Sequence, residues 1–462
     1  MVVIMNKDLL PNSIVTWLET VLAGEVTDFK PRAGGGAVRM GAEVSIKTKG
    51  GEALKGFLAY DGGQKPATGI EEKYAREAAI LRAVEPTNIR APRLLATSAE
   101  LRAHLFEFAE GEDRFIRLTD PEDAFTVVAD YLHDLALLHK LDASSLELPG
   151  FGELQPVADY LIEGINTMKR QHMAGGMADP FIIYGLRWLE RNIPDYDGPT
   201  VVVHGDAGPG NFLFQDNRVT AVLDWELAHY GDPMEDFAWM SIRAIIQAWV
   251  PFPRMLATYE KLSGIPVNLD RIRFYRVYTL LAMIIGSHRR YFQQTDTLAE
   301  QGRLGNGLMF MMVHRRAYVD GLADALGITL PSVELPEAGA SDISPFIESL
   351  LAQLRDVIVP RSTDQVASET AKDMARLLKY IDGRVQMGDL LDEDELRDLN
   401  EALQASHYEL KDARTDLVQH IENDQINDDQ MIGILWRRVS RETAIAQGTM
   451  GKLSERVFPP LT

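Results

Sequence analysis

Apolar positions in the first 110 residues switch between two periods. Residues 13–22 repeat at helical spacing, whereas 43–48 and 54–60 are β-type runs joined by Lys49-Gly50-Gly51-Glu52, a hairpin signal. Residues 71–84 return to helical spacing through Ala75, Ala78, Ala79, Leu81 and Val84. Two more short runs, 92–95 and 103–108, read as strands. This pattern predicts a small antiparallel sheet with one inserted helix. From 120 to 330 the pattern is mainly helical, clearest at 124–139 and 181–192. One interruption, 200–203, 212–214 and 219–223, places short β-type runs and loops among the helices, where reactive side chains tend to sit. The stretch LPSVELPEAGA, residues 330–340, has no apolar period, and a linker is expected at 331–340. Beyond it, 366–380, 394–422 and 428–457 fit amphipathic helices, and Ser344-Pro345 has the form of an N-cap followed by a first-turn proline.

Composition narrows the classes. The chain has 462 residues, 46% hydrophobic and 25% charged, with no cysteine. Thiolate nucleophiles, disulfides and cysteine-held metal sites are therefore excluded. The start lacks a basic segment followed by a long apolar stretch, and the most apolar run, 277–286, is about half of what a membrane span needs. A soluble, cytoplasmic protein without membrane contact is expected. The net charge of −21 argues against nucleic-acid binding, which depends on Lys and Arg neutralising phosphates. Residues 341–462 carry 23 acidic and 14 basic side chains. Docking or self-association, as a homodimer, is the role expected for them.

The chemistry concentrates in VVVHGDAGPGNFLFQDNRVTAVLDWELAHYGDPMEDFAWM, residues 201–240. Asp206 is followed five residues later by Asn211, and Asp224 ends a β-type run. One carboxylate to orient a hydroxyl and accept its proton, with oxygen donors to hold Mg²⁺ against nucleotide phosphates, is the logic of phosphoryl transfer. Asp206 suits the first task; Asn211 and Asp224 suit the second.

The run HGD-x4-N, DWE, GDP-x2-D resembles the aminoglycoside phosphotransferase/choline kinase-like family, also called the phosphotransferase enzyme family. Its nearest likeness in motif is the kinase-like part of acyl-CoA dehydrogenase fusion proteins. Arg76-Glu77-x3-Leu81, Phe106-Glu107-Phe108-x2-Gly111, Leu138-His139-x2-Asp142 and Arg187-Trp188-Leu189 extend the resemblance over roughly 25–330. The resemblance implies an α+β, bilobal protein-kinase-like fold: an antiparallel-sheet lobe at 1–111 and a mainly helical lobe at 112–330. The linker 331–340 would then lead to an all-α accessory bundle, 341–462.

The resemblance also implies site roles. Asp206 would be the base, and Asn211 and Asp224 the Mg²⁺ ligands. His204, Glu226 and Asp236 would brace the loop. Gly34, Gly35, Gly36, Glu77 and Glu107 would hold ATP or GTP, and the acceptor would be a small-molecule hydroxyl. The resemblance implies acceptors among antibiotics, choline-like amines, sugars, amino-acid hydroxyls and hydroxyacyl-CoA thioesters; the likeness to acyl-CoA dehydrogenase fusions leans to a hydroxyacyl-CoA or another metabolic alcohol, with an aminoglycoside-type antibiotic as an alternative. A catalytically idle nucleotide-binding scaffold is the alternative, and transfer of AMP is a third reading. One departure bears on these: the third strand, 54–60, ends Phe57-Leu58-Ala59-Tyr60, without the basic residue that relatives use to hold phosphates. Lys47, Lys55 and Lys65 are the nearby candidates.

Overall fold

The computed structural model describes residues 10–32, 39–60, 70–174, 178–247, 249–292, 304–339 and 341–462. Two compact units emerge, neither continuous in sequence. Unit 1 comprises Met1–Val157, Gly198–Val267 and Pro460–Thr462; unit 2 comprises Ala158–Asp197 and Asn268–Pro459.

Unit 1 opens with α1 (Asn12–Val21), β1 (Gly24–Arg32), β2 (Met40–Thr48), β3 (Ala53–Tyr60), α2 (Ile70–Val84), β4 (Leu94–Ser98) and β5 (Ala103–Glu107). The strands form one antiparallel sheet in the order β1-β2-β3-β5-β4. Alternation fixes its faces. Val44, Ile46, Leu58, Tyr60 and Leu105 point to one side, where Ile14 and Leu18 of α1 cover them. Each such buried aliphatic side chain contributes about 1.5–3 kcal/mol. The register sets Gly41 opposite Ala59, and with Phe57 these two lie on the other face, toward a cleft. Strand β1 has no clear alternation in sequence, because Asp28, Lys30 and Pro31 interrupt it. As an edge strand with a bulge between Val26 and Asp28 it accommodates them.

After the sheet comes α3 (Pro121–His139), capped by the Asp120 side chain, which accepts from the backbone N–H of Glu122 at 2.8 Å. Helices α4 (Val157–Met173) and α5 (Pro180–Arg191) follow in unit 2. The chain then returns to unit 1 as β6 (Val201–Val203), β7 (Phe212–Gln215), β8 (Arg218–Val222) and β9 (His229–Gly231), with β6 paired to β9 and β7 to β8. Helices α6 (Pro233–Ile246) and α7 (Phe252–Ser263) complete it.

Unit 2 is helical throughout. It adds α8 (Leu269–Phe292), α9 (Leu304–Leu326), α10 (Ser344–Gln353), the single turn α11 (Val359–Arg361), α12 (Gln365–Leu403), α13 (Leu410–Glu422) and α14 (Asp428–Met450). Residues 331–339 carry neither helix nor strand, and the helices after them pack both on one another and on α9. Both α12 and α14 lie against α9, so this packing unit runs across the boundary expected at 331–340. Helices α12 and α14 meet at Gly383, where an added Cβ would stand 2.0 Å from the carbonyl oxygen of Ile445, so no larger residue fits without shifting the backbone. Among the buried charges, Arg438 donates to both oxygens of Asp179 (2.7 and 3.1 Å), and Arg315 to both of Glu442 (2.7 and 2.8 Å). No helix among the described residues is long and apolar enough to cross a membrane.

Candidate active site

The two-stranded pairs β6–β9 and β7–β8 of unit 1 frame two loops: 204–211, between β6 and β7, and 223–228, between β8 and β9. Asp236 anchors the first. Fully buried near the start of α6, it accepts from the backbone N–H groups of His204 and Gly205, each at 2.9 Å. It also accepts from Nε2 of His139 at 3.0 Å, whose Nδ1 meets the Tyr259 hydroxyl at 2.7 Å. Burial alone would push the Asp236 carboxyl up. The hydrogen bond and field of His139, with the donors at His204, more than reverse this and hold it below its ordinary range. Gly205 has φ +76°, and a Cβ there would lie 2.2 Å from the carbonyl oxygen of Leu227. The Gly of the His-Gly-Asp run is thus what lets the two loops touch.

His204 ties the loops together. Its Nε2 donates to the Leu223 carbonyl at 2.8 Å, its Nδ1 accepts from the Asp206 N–H at 3.3 Å, and its ring packs on Trp225. Asn211 donates through Nδ2 to both the carbonyl and Oδ2 of Asp206, at 2.7 Å each. This leaves its Oδ1 without a hydrogen bond among the described residues. Asp224 has left-handed backbone (φ 60°, ψ 54°), a conformation that costs a non-glycine residue about 1–2 kcal/mol. Its carboxylate makes no hydrogen bond or close ion pair among the described residues, although the residue is open to the cleft. Enclosure by protein, then Glu226 and Asp206, pushes its pKa up against the pull of Arg39 and Arg243. Two oxygen donors, Asn211 Oδ1 and Asp224, are therefore free to take a hard cation. No group of three or more His, Asp or Glu that could hold a metal occurs among the described residues.

Two arginines absent from the sequence reading complete the site. Arg243 of α6 grips Asp206 with Nε to Oδ1 at 2.7 Å and Nη2 to Oδ2 at 2.5 Å, while Nη1 donates to the Pro209 carbonyl at 2.9 Å. It is the sole charge in the apolar run Phe237–Ile246, two helical turns after Asp236, and that isolation is the signal by which it could have been found. Arg39, just before β2, donates to Oε2 of Glu77 at 2.6 Å and lies 3.0 Å from Glu226. Burial opposes its charge, but Glu77, Glu226 and Asp224 outweigh that and raise its pKa. Glu77, on α2, is buried and is pushed up by that burial, with Arg39 pulling the other way. His104 stands 3.5 Å from Glu77, but burial, with Arg39 and Arg82, lowers its pKa to about 3, so it is neutral.

These groups face a cleft of about 520 Å³ whose lining includes Arg39, Ala59, Glu77, Glu107, Ala109, Asp224 and Glu226. Glu107 ends β5 at its rim, and its N–H is spent on the Arg93 carbonyl at 2.8 Å. The Ala109 N–H finds no acceptor among the described residues. Of the expected site residues, Glu77, Glu107, Asp224 and Glu226 line the cleft directly. Asp206, Asn211 and His204 lie in the loop beside it, which Asp236 anchors from α6. Gly34, Gly35, Gly36 and Lys65 lie outside the described residues. Lys47 and Lys55 do not line the cleft; Lys55 sits over the Phe108 ring at 3.3 Å, between Glu43 and Glu110.

The chain is 28% identical over 235 residues to the Homo sapiens protein "Acyl-CoA dehydrogenase family member 11", covering 48% of this chain and 30% of that protein. The Mus musculus protein of the same name is 35% identical over 137 residues, 29% of this chain and 16% of its own. The chain thus spans less than a third of the length of these relatives. Among solved structures, a macrolide 2′-phosphotransferase from Brachybacterium faecium superposes with a TM-score of 0.47 at 18% identity, over 63% of this chain and 97% of that one. Residues 64–275, which hold α2, the cleft and both loops, match the phosphotransferase enzyme family.

Proposed function

We propose that unit 1 is a small-molecule kinase that moves the γ-phosphoryl group of ATP or GTP to a hydroxyl. The observation that carries this reading is the convergence of Asp206, Asn211 Oδ1 and Asp224 on loops locked by Asp236, beside a cleft of nucleotide size. In the reaction the acceptor oxygen bonds to the γ-phosphorus as the bond to the bridging β–γ oxygen breaks, and the hydroxyl proton passes to Asp206. Asn211 and Asp224 fit Mg²⁺, a cation that prefers oxygen donors and would neutralise phosphate charge. Arg243 and Asn211 fix the Asp206 carboxylate in one orientation, so positioning supplies much of the rate, as a loose transition state requires. At the rim, the Ala109 N–H suits the edge of a purine base.

The relatives' names contain an acyl-CoA dehydrogenase. A hydroxyacyl-CoA or similar metabolic alcohol is accordingly the acceptor class we favour over an antibiotic. The test is calorimetric titration of ATP and GTP with and without Mg²⁺, followed by nucleoside-diphosphate release across a panel of hydroxyl compounds. Metal-dependent binding lost in Asp224→Ala, with turnover lost in Asp206→Asn, is the expected result. Absence of binding by both nucleotides would refute the reading and leave a scaffold.

A further inference from the structure

The kinase reading leaves one requirement unmet: a nucleotide's phosphates need a cation at the end of the cleft where Asp224 stands. We propose that Arg39 is that cation, and that Glu226 is a stand-in which occupies the outer edge of its guanidinium until phosphate displaces it. The inference rests on the kinase reading and extends it to a residue and an exchange.

Three observations carry it. First, β3 sends Phe57 and Ala59 to the cleft, and neither is charged. Arg39 precedes Gly41 by two residues, and Gly41 is the cross-strand partner of Ala59. An arginine entering from the neighbouring strand therefore reaches the space that a long cation on β3 would fill.

Second, the two partners of Arg39 differ in kind. The Glu77 side chain is 4% exposed and holds both ends of the fork, Nη1 at 2.6 Å and Nη2 at 3.4 Å, so that contact is fixed from inside. The Glu226 side chain is 45% exposed and meets Nη2 at 3.0 Å, from the open cleft. Nη2 carries two hydrogens, so the guanidinium can stay on Glu77 while the hydrogen aimed at Glu226 changes from carboxylate to phosphate.

Third, the other cations that line the cleft are not the ones acting on Asp224. Arg114 and Arg117 also line it, but Arg117 is paired with Glu112 at 2.8 Å, and the cationic field on Asp224 comes from Arg39 and Arg243. Neutral His104 cannot serve, and Lys55 is engaged elsewhere. Arg39 alone among the cleft-lining cations stands beside Glu226 and within the field of Asp224.

The experiment measures Mg·ATP and adenosine binding by calorimetry for wild type, Arg39→Ala, Glu226→Gln and the double variant Arg39→Ala/Ala59→Lys. Circular dichroism confirms the fold of each. Arg39→Ala is expected to weaken Mg·ATP about 10- to 100-fold and leave adenosine unchanged, the span of a charge-assisted phosphate contact. Glu226→Gln should tighten Mg·ATP several-fold by removing the competitor. Restoring a cation from β3 in the double variant should recover most of the loss, and this guards against a fold defect in the single variant. Should wild type bind Mg·ATP in an Asp224-dependent way while Arg39→Ala binds it equally well, the kinase reading survives and this proposal falls. Weaker binding in Glu226→Gln would overturn the exchange. If wild type binds no nucleotide, both fail together.

Discussion

Asp236 offers the sharpest test of how the active loop is built. Asp236→Ala removes the acceptor for two buried backbone N–H groups, at His204 and Gly205, and strips His139 of its carboxylate partner. A buried donor left without a partner costs about 1–3 kcal/mol, and a bond to a charged group is worth about 1.5–3 kcal/mol. The sum, about 4–9 kcal/mol before relaxation, is comparable with the whole stability of many domains, about 5–15 kcal/mol. Asp236→Asn should be nearly as harmful, since its amide sets a donor against donors. Amide hydrogen exchange at His204 and Gly205, together with denaturant unfolding followed by circular dichroism, reads the effect. Both amides should lose their protection in either variant.

The pH dependence has a definite sign. The folded pKa of Asp236 lies below its unfolded value, about 3.9. Its stabilisation is present above that value and lost as pH falls through the lower, folded one. Unchanged protection at both amides in Asp236→Ala, with stability within about 1 kcal/mol of wild type, would refute the reasoning.

Two further outcomes follow from the same loops. Gly205→Ala must hold a left-handed backbone and a Cβ 2.2 Å from the Leu227 carbonyl. It should lower the melting temperature by about 2–8 °C, and scanning calorimetry showing no shift would contradict the close approach. His229, a third exposed, is raised to about 9, against the effect of burial, by Glu235 and the Leu227 carbonyl. Its contribution is full below the unfolded value near 6.5 and fades as pH rises toward 9. The melting temperature of His229→Gln should therefore fall less than that of wild type between those limits, and parallel profiles would sink the assignment.

Local signals in the sequence expose much of this molecule. The Gly-Gly turn before β3, the helical spacing of α2 and the Asp-x4-Asn loop are all short-range patterns, and each appears where expected. What sequence hides is set by contacts between distant residues. Arg39 becomes a cleft residue only because β2 pairs with β3 in one register. The break between α12 and α13 is invisible to periodicity, which runs on through 394–422. There the Asn400 side chain exchanges two hydrogen bonds with the backbone of His407 (2.8 and 2.9 Å), and Gln404 takes a left-handed turn. The grouping of α12 and α14 with α9 is equally non-local, because apolar faces do not announce their partners.

The pairing of Asp179 with Arg438 sets a constraint on the order of synthesis. These two buried charges are separated by 259 residues. At about 5–20 residues per second on the ribosome, the carboxylate emerges roughly 13–50 s before its guanidinium exists. Helix α5 must spend that interval with its N-terminal acid still in water, and Arg315 of α9 waits about half as long for Glu442 of α14, 127 residues on. The sheet of unit 1, in contrast, has every strand available once β5 has been made. The nascent chain is therefore committed to a sheet first and a closed helical unit last, and an attendant chaperone would find its exposed surface on α5, α8 and α9.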